Sequence, residues 1–347
     1  MSSSTSSSDR RLRLRRALIA CATAFVLSVP VGALLVQSVA ALRYARPVPA
    51  AEGLPAGDWY VENGWGREIV SHAILYYGFG RSIENARDAD LLLLGSSRVL
   101  AGFAPDLLVP FAETHGFQVF NLGFGHVESD LFPGIVIERH DLRPAMVVVD
   151  ADGFFTNRMS LKARSIHTGS WFGDLRARVE ATGAYLHRQL MWSWLPHFLP
   201  EIPIPVEWWE IEKRGRFRSS DHGFYCVWDE AEDAQRVNED GGWQEIDKPT
   251  LRATEAFLER MRARDITVVL THVPSSKPLG SRARAAALAE RFGLAFVAPL
   301  PDQLVTSDGS HLTRASARRF SQAFITELEQ HPVFDTLAAG DEPLRDR

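Results

Sequence analysis

Five short strand-like apolar runs constrain the fold of this chain: residues 89–94, 118–121, 145–150, 266–271 and 294–297. A strand with one wet face alternates apolar and polar side chains, whereas Met146-Val-Val-Val149 and Ile266-Thr-Val-Val-Leu270 do not alternate. Such strands are buried on both faces, as in a parallel sheet covered by helices. Helical segments predicted at 127–140, 249–263, 281–292 and 313–329 supply the cover. The expected fold is α/β, a flavodoxin-like parallel sheet sandwiched by helices, whose active site lies at the carboxyl ends of the strands. Gly95, Asn121 and Asp150 each fall at such an end.

The chain has 347 residues, 46% of them hydrophobic, enough for one large domain or one domain carrying an insertion. Its net charge of -5, with no long basic stretch beyond the N-terminus, argues against a nucleic-acid partner, whose phosphates reward a positive face. Arg10, Arg11, Arg13, Arg15 and Arg16 sit in a basic tail, 1–16, ahead of an almost uncharged apolar run, 17–42. That run exceeds the roughly 20 residues that span a bilayer. The reading is an N-terminal transmembrane anchor with the arginines in the cytoplasm and the rest of the chain in the periplasm or extracytoplasmic space. Cleavage after Ser38-Val39-Ala40 is the alternative, and both readings imply export. Only two cysteines are present, and Cys21 lies in the apolar run, so no disulfide is expected for Cys226.

Residues 43–88 read as a linker and lead-in, with a Pro- and Ala-containing stretch at 46–57, and residues 89–335 as the α/β domain. Residues 336–347 read as a disordered tail. Between 153 and 246 the strand spacing is interrupted by a stretch without clear strands. It holds Trp171, Trp192, Trp194, Trp208, Trp209, Trp228 and Trp243 of the protein's nine tryptophans. This reads as an insertion whose aromatic rings either form a small core of their own or stack on sugar rings.

Two motifs about 200 residues apart carry the chemistry. Leu91-Leu-Leu-Leu-Gly95-Ser96-Ser97-Arg98 places a serine where a buried strand gives way to a loop and helix. Ser307-Asp308-Gly309-Ser310-His311 offers an aspartate three residues before a histidine, ahead of the last helix. A nucleophile, a base and an orienting acid are the ingredients of acyl transfer. Gly-Ser-Ser after a strand is by itself often only a turn with a helix cap. Its meaning changes beside Phe120-Asn121-Leu122-Gly123-Phe124-Gly125 and Val148-Val149-Asp150-Ala151-Asp152-Gly153, two further glycine-bearing strand ends.

With these blocks in order, residues 89–328 outside the insertion resemble the SGNH (GDSL-type) hydrolase family. The resemblance implies Ser97 as nucleophile, since Gly95-Ser96-Ser97 matches Gly-Asp-Ser with its middle residue changed, and Asp308 and His311 as its partners. Gly-Ser-Ser is also similar to the motif of membrane-tethered members that move acyl groups on cell-surface polymers. For the oxyanion the resemblance implies the N–H groups of Ser97 and Gly123, with Gly125 one residue early for the family's second glycine. The family's oxyanion asparagine has no match: Asp152 stands near its place and Asn157 lies a few residues beyond. Either Asn157 reaches back, or backbone donors suffice, or the site is degenerate.

Arg98 beside the serine could bind a phosphate or carboxylate of the substrate, or stand solvated at a helix start. His126, Glu128 and Asp130 lack a second ligand cluster and are expected to cap the helix after the second strand. Gly123-Phe-Gly125 has no third glycine and is not a dinucleotide fingerprint, so neither a metal nor a cofactor is called for. Residues 272–277 either line the pocket or form a plain loop. The expectation is a serine acyltransferase or esterase for O-acyl groups of an envelope polysaccharide, anchored in the bacterial cytoplasmic membrane and working with a membrane acyl-donor protein. Its rival is a catalytically silent SGNH-fold module that binds glycan or scaffolds an assembly.

Overall fold

The structure, a computed structural model, describes residues 59–61, 70–125, 128–167, 170–172, 175, 178, 217–226, 234–237, 245–276 and 281–338. The basic tail, the apolar run 17–42, six of the seven tryptophans named above and residues 339–347 lie outside them. Among the described residues no helix is long and apolar enough to cross a membrane.

In chain order the elements are β1 Trp59–Val61, α1 Val70–Tyr77, α2 Ser82–Asp88, β2 Leu91–Leu94, α3 Ser97–Gly102, α4 Pro105–Thr114, β3 Val119–Asn121, α5 Leu131–Arg139, β4 Met146–Asp150 and α6 Leu161–Ile166. There follow β5 Phe217–Ser219, β6 Tyr225–Cys226, β7 Gln235–Arg236, α7 Lys248–Arg262, β8 Thr267–Thr271, α8 Arg282–Phe292, β9 Ala295–Phe296, β10 Val305–Thr306, α9 Arg314–Gln330 and α10 Asp335–Ala338.

The central sheet runs β3-β2-β4-β8-β9 with every pairing parallel. The strands β2, β3, β4 and β8 are buried on both faces, and the edge strand β9 is half-buried. Leu92, Leu94, Val147 and Val149 enter a core with α1, α2, α5, α7 and α8, while Leu91, Leu93, Met146 and Val148 enter a second core with α4 and α9. This double burial is why the strands show no polar alternation. The helices after the third strand begin where their caps predict: Asp247, Ser281 and Thr313 accept the N–H of Thr250, Arg284 and Ser316. The chain winds outward from β2 to β3 and then returns to the other side of β2 to build β4. That reversal falls at the carboxyl ends of β2 and β4, the ordinary ligand position in such sheets.

The lead-in, the interrupted stretch and the tail differ from the sequence reading. The lead-in contains α1 and α2, whose Ile74, Leu75 and Ala86 are buried in the first core, so it belongs to the domain. Eight- and seven-residue helices are too short to show a clear period. The interrupted stretch begins later than 153, because Phe154, Phe155, Ala163 and Ile166 are core residues. It also contains strands: β5 pairs with β1 and β6, and β7 with β10, all antiparallel. The expected tail overlaps α10 at 336–338, with Leu337 buried. Trp171, the one tryptophan of that stretch among the described residues, is 79% exposed and makes an edge contact with Phe172.

The helix after β3 starts at Leu131 rather than 127, and neither acid before it caps it. Glu128 accepts the N–H of Ser160 at 3.0 Å and lies 3.1 Å from His72 Nε2, while Asp130 accepts the N–H groups of Thr156 and Asn157 at 3.1 and 2.8 Å. Both carboxylates tie down the segment after β4, a long-range role that their spacing does not reveal.

Candidate active site

The site is assembled at the end of β2. Gly95 follows the strand with φ +155, and a Cβ there would lie 2.4 Å from Val99 Cγ2 and 3.0 Å from Asp150 Cβ. Only glycine lets α3 start this close to β4. Ser96 caps α3 by accepting the Arg98 N–H at 3.3 Å, which leaves Ser97 as the first helical residue. A residue there has no intrahelical acceptor for its N–H, so Ser97 presents both its hydroxyl and a backbone donor.

The partners arrive from the other end of the chain. Between β10 and α9 the chain doubles back: Thr306 bridges Leu312, and the Ser307 N–H donates to the His311 carbonyl at 2.8 Å. In this turn Asp308 Oδ1 accepts the N–H groups of Ser310 and His311, each at 2.9 Å, and Asp308 Oδ2 lies 2.7 Å from His311 Nδ1. His311 Nε2 lies 2.8 Å from Ser97 Oγ. Both contacts are within the range for a nucleophile, its base and the group that orients the base. Burial alone would push Asp308 up. The backbone N–H of His311, its imidazole and the N–H of Ser310 outweigh that and hold it at about 2. It therefore stays ionised and fixes the imidazole with Nδ1 protonated and Nε2 free to accept a proton. The side chains of His311 and Asp308 are 17% and 48% exposed, so the relay opens onto the surface.

The surroundings correct several expectations. The Gly123 N–H donates to Asn121 Oδ1 at 3.0 Å, and Asn121 Nδ2 donates to the Val99 carbonyl at 3.0 Å. Gly123 is thus engaged by its neighbour's side chain instead of standing free for an oxyanion. Gly125 is buried in the turn after it, and its preceding Phe124 N–H donates to the Gly95 carbonyl at 2.9 Å. Asn157 is not brought to the serine: its side chain is exposed, its backbone is left-handed at φ +53, and its N–H is held by Asp130. Arg98 is neither solvated nor presented to a substrate. Its side chain is 5% exposed and pairs with Asp152, which is 1% exposed.

Beneath the serine lies a buried group of charges. Burial pushes Asp150 up, opposed by His272, Arg98 and the Val273 N–H, and burial lowers Arg98, opposed by Asp150. Arg98 thus pairs with Asp152 and feels the charge of Asp150, both at the carboxyl end of β4, so Asp152 faces a guanidinium instead of an oxyanion. Sequence reading placed both residues at the site but missed their pairing, which joins two elements across a crossover. The loop at 272–276 braces the base: Ser276 N–H donates to the Gly309 carbonyl at 3.1 Å.

Fold and site together define a parallel α/β protein with a Ser-His-Asp relay at the sheet end where its winding reverses. No protein-family model matches this sequence, and neither does any curated protein sequence. Among solved structures, a Bacteroides fragilis protein whose name designates it an acylhydrolase matches 74% of this chain and 95% of its own, at 12% identity and a TM-score of 0.34. A GDSL-like lipase from Bacteroides thetaiotaomicron matches 74% of this chain and 97% of its own, at 14% identity and a TM-score of 0.35.

Proposed function

We propose that this chain is a serine esterase or O-acyltransferase of the SGNH type, acting on O-acyl groups, acetyl foremost, of a cell-envelope or exported polysaccharide. The observation that carries the reading is the continuous relay from Asp308 through His311 to Ser97, with contacts of 2.7 and 2.8 Å. His311 Nε2 takes the Ser97 proton as Oγ attacks the acyl carbonyl. Asp308 steadies the imidazolium that forms. Collapse of the tetrahedral intermediate returns that proton to the departing oxygen and leaves an acyl group on Ser97. Water or a sugar hydroxyl, deprotonated by His311, then attacks the acyl-enzyme and restores the serine.

The Ser97 N–H is the oxyanion donor this reading relies on. One missing donor typically costs a factor of about 10² to 10³, so slow hydrolysis of simple esters is expected, with a bound acceptor as the better nucleophile. The surface position of Asp308 and His311 suits a bulky polymer. The arginine-rich tail and the apolar run 17–42 support an anchored enzyme outside the cytoplasm, beside a membrane donor of acyl groups.

Labelling with a fluorophosphonate probe tests the reading. The wild type should label, and Ser97→Ala and His311→Ala should not. A folded wild type that fails to label, and releases no p-nitrophenol from p-nitrophenyl acetate, would favour the silent glycan-binding module, whose best support is the engaged Gly123 N–H.

A further inference from the structure

Ser97 and His311 are 214 residues apart in sequence, yet their contact must hold at 2.8 Å for proton transfer. The stretch read as an insertion grips both sides of that contact. On the serine side stands Arg218 of β5, which is 0% exposed. Its guanidinium donates to the Gly223 carbonyl at 2.9 Å, to Ser71 Oγ at 2.7 Å and to the Asn121 carbonyl at 2.7 Å. The Asn121 N–H in turn donates to the His222 carbonyl at 2.8 Å. The β5–β6 hairpin thus holds both backbone groups of Asn121. It sits so close that a Cβ on Gly223 would fall 2.2 Å from the Asn121 carbonyl oxygen. The Asn121 side chain passes this on to the Val99 carbonyl in α3, two residues from the serine, and to the Gly123 N–H.

On the histidine side stands β7, paired with β10. Thr306, fully buried, donates its hydroxyl to the Gln235 carbonyl at 3.1 Å and lies 2.8 Å from Ser276 Oγ. Ser276 Oγ lies 3.0 Å from the Gly309 carbonyl, inside the turn that carries Asp308 and His311. A fully buried guanidinium whose partners among the described residues are all neutral is costly to keep out of water. It is spent on the strand end that aims the nucleophile helix.

We propose that the β5–β6 hairpin and strand β7 align the two halves of the relay, with Arg218 and Thr306 as positioning residues for acylation of Ser97. This rests on the reading of Ser97 as nucleophile. Displacements of about 1 Å at reacting atoms cost up to about 10²-fold in rate, so partial loosening at either end should cost about ten-fold.

The experiment uses the full-length protein in detergent and measures fluorophosphonate labelling rate, kcat and KM for p-nitrophenyl acetate, and thermal unfolding. Thr306→Val keeps the shape and removes the hydroxyl; it should label and turn over about ten-fold more slowly with KM within two-fold. Thr306→Ser restores the hydroxyl and should recover to within two-fold. Arg218→Lys should lose rate in the same way. Should Arg218→Lys fail to fold, the Thr306 pair decides. A Thr306→Val protein that labels at the wild-type rate overturns the proposal, as does equal loss in the Val and Ser variants. A wild type that never labels defeats the nucleophile reading itself, so the two failures are distinguishable.

Discussion

Replacing Arg98 by methionine tests the buried charge group under the nucleophile. The Arg98 and Asp152 side chains are 5% and 1% exposed, so neither charge is relieved by water. Removing one partner of a buried ion pair costs about 3 to 5 kcal/mol, because the other charge stays buried and unpaired. For a domain of this size each kcal/mol moves the melting temperature by about 2 to 4 °C, so Arg98→Met should melt roughly 10 °C below wild type. Asp152→Leu should cost less, since Arg98 would still have Asp150 beside it. The double variant Arg98→Met/Asp152→Leu should recover most of the loss, with a coupling of about 2 kcal/mol or more across the cycle. Acidity sharpens the test. Asp150 is already pushed up by burial and is held back partly by Arg98, so removing Arg98 raises it further. A carboxylate raised in the folded state is destabilising while ionised and is relieved by protonation. The gap between Arg98→Met and wild type should therefore narrow as pH falls below neutral. Thermal unfolding of the four proteins at neutral and at acid pH decides. A single-variant loss below about 1 kcal/mol, with additive losses in the double variant, would refute a desolvated pair.

Gly95→Ala should destabilise by about 1 to 3 kcal/mol and slow serine labelling, because its Cβ would meet Val99 Cγ2 at 2.4 Å and push α3 off its start; wild-type melting and labelling would speak against it. Asp308→Asn should lower kcat by up to about 10⁴-fold with KM little changed, since the amide no longer fixes the Nδ1-protonated tautomer. Because Asp308 is held at about 2, activity should show no inflection from it between about pH 4 and 9, and an inflection near pH 4 that disappears in Asp308→Asn would contradict the assignment. The same depressed value means that the stabilising contribution of Asp308 is present above its unfolded range, near 4, and is lost as pH falls toward 2. Urea unfolding of wild type and Asp308→Asn from pH 2 to 6 should therefore diverge as pH rises.

What could be read from sequence was whatever neighbouring residues decide. The runs at 89–94, 145–150 and 266–271 announce strands because both faces meet core, and Ser281 and Thr313 announce helix starts because a cap acts within one turn. Ser97, Asp308 and His311 were nameable for the same reason: each motif is local, although only the fold brings Nε2 to 2.8 Å from Oγ. The remainder depended on partners across crossovers. Strands of two or three residues such as β5, β6 and β7 are too short to show a period, so the clasp around the relay was invisible.

Asp152, near the place of the oxyanion asparagine that the sequence resemblance implies, is the sharpest such case. In the sequence it reads as an unmatched position. In the fold Arg98 covers its charge, and Asn121, one strand away, holds the Gly123 N–H. Two of the polar groups that the resemblance assigned to the oxyanion are thereby committed to structure, which leaves the proposed mechanism the Ser97 N–H at the start of α3. On that proposal, such a site would activate its serine through His311 yet offer the tetrahedral intermediate few donors. Rate would then have to come from holding the acceptor in place. On the same proposal an oriented acceptor hydroxyl would be favoured over bulk water, because a bound acceptor gains the advantage of proximity that water lacks.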